Sequence, residues 1–166
     1  MKTGKIMMCL LAMFLVGCNK YQVLESLSSE AHTLTQEQRS TEVLKGFLVM
    51  QPGVAVDSMG IRKLYTTEDL EKLVSNTDFA VAMLGHVGHD DVFFGMFENF
   101  RVEDGEIVAD LALDPVDEYN RKLADGVRVL YFRYPHRAQL SAGLVGDMII
   151  EVSFVQSGAA TDRLLK

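Results

Sequence analysis

The sequence predicts an α+β domain: a small, curved or closed, mainly antiparallel β-barrel of about seven short strands with two packed helices. Three observations carry that expectation. Apolar runs are punctuated by turn sequences such as Gln51-Pro52-Gly53, Asp104-Gly105 and Gly146-Asp147, the pattern of short strands joined by tight turns. Helical spacing of apolar residues is confined to two short stretches. No βαβ repetition and no Gly-rich nucleotide loop interrupts this arrangement.

The stretch Phe79 to Asp114 organises the chain. Phe79 to Leu84 is wholly apolar, a length suited to a central strand covered on both sides. Gly85 ends it, leaving His86 at the strand's carboxyl end, and Gly88 with Asp90-Asp91 continues a polar turn. Val92 to Val102 and Glu106 to Asp114 then read as antiparallel partners closed at Asp104-Gly105. In the second, Ile107, Ala109, Leu111 and Leu113 share one face; Val108, Asp110, Ala112 and Asp114 share a partly solvated one.

Upstream, Val43 to Met50 reads as the first strand, stopped by Pro52-Gly53. Val54 to Gly60 reads as a loop, and Ile61 to Tyr65 as a short extended piece. Thr66 or Thr67 caps a helix with Asp69 and Glu71 near its start and Leu70, Leu73 and Val74 as its apolar stripe. Downstream, Pro115 opens a helix over Val116 to Ala124, ended by Asp125-Gly126. Val127 to Tyr134 is apolar and aromatic-rich and reads as a strand. Gln139 to Val145 and Met148 to Gln156 read as a hairpin around Gly146-Asp147. In its second strand Ile150, Val152 and Phe154 are expected on one face, and Ile149, Glu151, Ser153 and Val155 on the other.

Composition bounds the function. Of 166 residues, 48% are hydrophobic and 23% charged, enough apolar material for a core. The net charge of −7, with no Lys/Arg cluster to offset it, argues against a nucleic-acid surface. The two cysteines, Cys9 and Cys18, both lie in the N-terminal apolar segment, so the body holds no disulfide and no cysteine metal site. Lys2 and Lys5 before the apolar run to Cys18 read as an export signal or an upstream extension over residues 1–20. Leu15-Val16-Gly17-Cys18 is similar to a bacterial lipoprotein processing box, in which Cys18 is lipidated. Residues 21–42 read as a linker or loosely docked arm, with Thr35-Gln36-Glu37-Gln38 opening one helical turn. Residues 43–160 form the β domain and 161–166 a tail.

Two chemistries are open to the body. His86 and His89, with Asp90, Asp91 and a distant His136, could hold a divalent ion, but their spacing matches no specific metal pattern, and neither metal nor cofactor is expected. Alternatively, Ser141 attacks a carbonyl while an imidazole removes its proton. It projects with Gln139 and Gly143, opposite Leu140, Ala142 and Leu144, and Ala142-Gly143 allow a peptide to approach. The imidazole needs an orienting carboxylate, for which Asp57 and Glu151 both qualify. Backbone N–H groups near Gly143 or Arg137 are candidate oxyanion donors.

Val54-Ala55-Val56-Asp57-Ser58-Met59-Gly60 with Leu64-Tyr65-Thr66, Met83-Leu84-Gly85-His86, Gly95-Met96-Phe97 with Val102 to Leu111, Leu140-Ser141-Ala142-Gly143 and Ile150-Glu151-Val152-Ser153-Phe154-Val155 occur in this order. The body resembles the tailed-bacteriophage prohead (capsid maturation) serine proteases, whose barrel is like that of the herpesvirus assemblin proteases. The resemblance implies Ser141 as nucleophile, His86 as base, and either Asp57 or Glu151 as orienting acid. It also implies scaffold and major capsid proteins as partners, possible self-association, and a place inside the assembling prohead in the host cytoplasm. A membrane enters only if Cys18 is lipidated. The alternatives are a membrane-anchored lipoprotein β-domain acting as a binding module, or an inactive capsid-assembly relative.

Overall fold

In a computed structural model the described residues are 23–56, 60–84 and 94–155. The strands are β1 (Val43–Met50), β2 (Gly53–Val56), β3 (Arg62–Tyr65), β4 (Phe79–Leu84), β5 (Gly95–Glu103), β6 (Glu106–Leu113), β7 (Leu140–Val145) and β8 (Met148–Phe154). The helices are α1 (described over residues 23–28), α2 (Gln36–Ser40), α3 (Thr67–Ser75) and α4 (Glu118–Arg133). A 6-stranded sheet runs β1-β6-β5-β4-β8-β7, and β2-β3 form a separate 2-stranded ribbon. The large sheet curls into a half-barrel, its edge strands β1 and β7 approaching each other, with helices packed against it.

All neighbours in the large sheet are antiparallel except β4 and β8, which are parallel. The apolar run of β4 is therefore central, as expected, although its outer face is only partly covered: Phe79 is 60% exposed, and Val81 and Met83 are part-buried. The residues from Val54 to Val56, expected as loop, instead pair with Arg62 to Leu64 as a hairpin arm.

The curl has a local cause. β1 slips register between Leu44 and Phe47, and β5 slips between Glu98 and Arg101, so each neighbour of β6 carries a bulge. At these bulges Gly46 has φ +79 and Asn99 φ +55; bulges bend a strand and sharpen its twist. Asp110 of β6 fastens both. Its carboxylate accepts the Gly46 N–H at 2.9 Å, the Asn99 side-chain amide at 2.9 Å and the Arg101 guanidinium at 3.0 Å. Asp110 is 6% exposed rather than partly solvated. Burial alone pushes its pKa up, but the Asn99, Gly46 and Arg101 hydrogen bonds together hold the carboxyl below its usual range.

One apolar core joins sheet and helices. Ile107, Ala109, Leu111 and Leu113 of β6 face inward as the alternation predicts. Phe47 sits at the centre, its ring 5.7 Å from Phe97, 5.8 Å from Phe154 and 5.4 Å from Tyr131. Helix α3 forms where expected, with Thr66 and Asp69 making a reciprocal cap and Leu70 and Leu73 buried. It is tied to the β7–β8 hairpin through Thr77, whose hydroxyl accepts the Ile149 N–H at 2.9 Å and donates to the Leu73 carbonyl at 2.8 Å.

The largest correction concerns residues 116–134. The expected short helix, Asp125-Gly126 stop and strand from Val127 to Tyr134 are instead one helix, α4, capped by Asp117. Leu123, Val127 and Leu130 continue a helical stripe through the supposed stop, and all are buried. Gly126 is there for packing: a Cβ on it would lie 2.2 Å from the Leu24 carbonyl oxygen of α1. The helix thus accepts the roughly 1 kcal/mol that an interior glycine costs relative to alanine in exchange for close contact with α1.

That contact also corrects the reading of the preceding arm, which docks firmly. Leu24, Leu27 and Leu34 are buried. Arg128 donates to the Thr41 carbonyl at 2.9 Å and Tyr134 to the Glu30 carboxylate at 3.0 Å, while Tyr131 ties the same helix to β1 through the Lys45 carbonyl at 2.9 Å. The expected turn at Thr35 forms as α2, with Thr35 and Gln38 capping each other.

Candidate functional site

Ser141 lies on β7, the strand beyond β8 at one edge of the sheet. The hairpin turns at Gly146, whose φ of +61 suits the left-handed conformation there. Its register sets Ser141 opposite Ser153 and Gly143 opposite Glu151. On the other side of β8, Met83 aligns with Ser153 and Val81 with Glu151. Cross-strand partners share a face, so Ser141, Gly143, Glu151, Ser153, Val81 and Met83 lie together on the outer face. Leu140, Ala142 and Leu144 pack against the core, as the alternation of β7 requires.

The alternation of β8 is not uniform. The register shifts between Gly143 and Leu144, placing an extra residue at Ile150. Ile149 is therefore buried and Ile150 exposed, the reverse of the expected pattern, while Glu151 to Phe154 follow it. Without this bulge, a single period would carry Ile149 out of the core or Glu151 into it.

Within the outer-face cluster the Ser153 hydroxyl donates to Glu151 Oε1 at 3.0 Å. Ser153 is 0% exposed, so water does not compete for its hydroxyl. Glu151 lies across Gly143: a Cβ at Gly143 would approach Glu151 Cγ to 2.8 Å and Cδ to 3.0 Å. The glycine opposite the glutamate is the gap that the Glu151 side chain occupies, with Ser141 its diagonal neighbour at about 7–8 Å by strand geometry. The cluster is anchored from beneath, because Val152 and Phe154, flanking Ser153, are buried and Phe154 stacks into the aromatic core.

Of the residues singled out from the sequence, Ser141 and Glu151 come to one face of one hairpin. His86 and Asp57 lie outside the described residues, as do His89, Asp90, Asp91, Cys9 and Cys18. His86 follows Leu84, the last residue of β4, by two positions in the chain. His136 is exposed in a short 3-10 turn, and the described residues contain no group of three or more metal-ligating side chains. The Arg137 N–H, one candidate oxyanion donor, is already given to the Tyr134 carbonyl at 2.8 Å. Among the described residues no helix is long and apolar enough to cross a membrane.

Ser153 was missed as a member of the site, although the Glu-x-Ser spacing of a strand already sets it on the Glu151 face. The parallel pairing of β4 with β8 was missed too; the wholly apolar run of β4 was its signal. Comparison with protein-family models, curated proteins and solved structures gave no match.

Proposed function

We propose that this protein is a serine endopeptidase of the prohead type, cleaving scaffold and capsid peptides during virus head maturation. Ser141 is the nucleophile and His86 the general base, with Glu151 or Asp57 as the acid that orients the imidazole. The hydroxyl oxygen of Ser141 attacks the peptide carbonyl as the imidazole takes its proton. The imidazole then returns that proton to the leaving amine, and water hydrolyses the acyl-enzyme by the same route. Its partners are scaffold and major capsid proteins, and its place of action is the assembling prohead in the host cytoplasm.

One observation carries the reading: the register across β4, β8 and β7. It puts Ser141 and Glu151 on one face, and the strand alongside them is the one that leads in sequence to His86. The half-barrel is compatible with the assemblin-like barrel that the resemblance implies.

The test is covalent labelling of the full chain with a fluorophosphonate, the modified residue located by peptide mass spectrometry. Labelling at Ser141 that disappears in Ser141→Ala and falls steeply in His86→Ala is the expected result. A wild-type protein that does not label at Ser141 would reject the protease and favour an inactive assembly relative. The lipoprotein-like box at Leu15-Val16-Gly17-Cys18 supports a second reading, a β-domain tethered to a membrane through Cys18. Intact-mass measurement of the membrane fraction decides it: cleavage before Cys18 with added acyl mass supports the tether.

A further inference from the structure

We infer that Ser153 is a positioning residue for the site, holding the Glu151 carboxylate across Gly143 on the side of the sheet that carries Ser141. The inference rests on the protease reading and names Glu151 as the acid that works with Ser141.

A glutamate on a strand's outer face ordinarily samples several rotamers in water, and fixing one costs side-chain entropy. Among the described residues, three features hold it. The Ser153 hydroxyl donates to Oε1 at 3.0 Å. The donor is wholly buried, which keeps the bond dry. The strand opposite presents Gly143, where any side chain would strike the Glu151 Cγ. The backbone beneath the donor is held in turn by Phe154, whose ring lies 5.8 Å from both Phe47 and Phe94. The Ser153 hydroxyl donates to a carboxylate that is itself only half-buried, and the space that the carboxylate occupies is provided by Gly143, the residue two positions after the nucleophile.

The experiment measures the second-order rate of fluorophosphonate labelling at Ser141 in the full chain, with thermal unfolding recorded for every variant. Ser153→Ala is expected to slow labelling about tenfold, the worth of one hydrogen bond to a charged group. Glu151→Gln is expected to slow it at least as much. In the Glu151→Gln background Ser153→Ala should have no further effect, because the two residues act through one carboxylate. Gly143→Ala, which displaces the Glu151 side chain and leaves Ser153 intact, should likewise slow labelling in the wild-type background and add nothing in Glu151→Gln. It keeps the test decisive if Ser153→Ala does not fold. Wild-type labelling with an unchanged rate in these variants, or an additive loss in the Glu151→Gln background, overturns the positioning role while leaving the protease standing. Failure of the wild-type protein to label at Ser141 overturns both.

Discussion

Two carboxylates on the outer face of the same sheet, Asp110 of β6 and Glu151 of β8, are treated in opposite ways. Asp110 is surrounded: a backbone N–H from β1, an amide and a guanidinium from β5 all point at it, and 6% of the residue remains exposed. Glu151 is half-buried, and among its partners is a buried hydroxyl of its own strand. The first carboxylate binds strands together at two bulges and so shapes the half-barrel. The second is oriented over a glycine beside a serine. The contrast teaches what marks a structural carboxylate: donors from two neighbouring strands, one of them a guanidinium, converge on Asp110 and leave little of it in water.

The comparison is sharpened first at Asp110. Asp110→Ala leaves the Gly46 and Asn99 donors without their acceptor and Arg101 with Glu103 and the Asn99 carbonyl as partners, and should cost about 2 kcal/mol in urea unfolding. Retention of wild-type stability would mean that the bulges hold themselves. The next effect is on acid unfolding. Because the folded-state pKa of Asp110 is depressed, its contribution is complete above the unfolded-state value of about 4 and is lost as pH falls through the folded-state value. Stability followed from pH 7 downward should therefore drop more steeply in the wild-type protein than in Asp110→Asn below about pH 4.

Smaller effects are expected at the other carboxylate. Ser153→Ala should cost about 1.5 kcal/mol, one buried hydrogen bond to a charged group, and Glu151→Gln less than about 0.5 kcal/mol, the usual range for a change on a partly exposed face. A loss at Glu151 as large as that at Asp110 would erase the distinction and make both carboxylates structural. Gly143→Ala should also leave the melting temperature within a few degrees, since the Glu151 side chain can swing aside.

Much of the architecture was legible in local patterns. The turn sequences at Asp104-Gly105 and Gly146-Asp147 gave two hairpins, and the cap at Thr66 with Leu70 and Leu73 gave α3. Misreadings fell where a distant segment overrode a local signal. Asp125-Gly126 resembles a helix stop until α1 is seen crossing it, and Val127 to Tyr134, rich in β-favouring side chains, joins the helix because its stripe continues that of Leu123. The polar face of β6 reads as solvated because the donors that enclose Asp110 come from β1 and β5, 64 and 11 residues away.

By itself the sequence determined the α+β class, most strand positions, the inward face of β6, and the placing of Ser141 opposite the core face of β7. Those properties follow from alternation, capping and turn chemistry, which act over a few residues. Only the tertiary structure decided the parallel pairing of β4 with β8, the bulges that curl the sheet, the bulge at Ile150 and the use of Gly143 as room for Glu151. Each of these depends on which strand lies beside which, and that choice is made by burying one shared core around Phe47, Phe97 and Phe154, residues far apart in the chain.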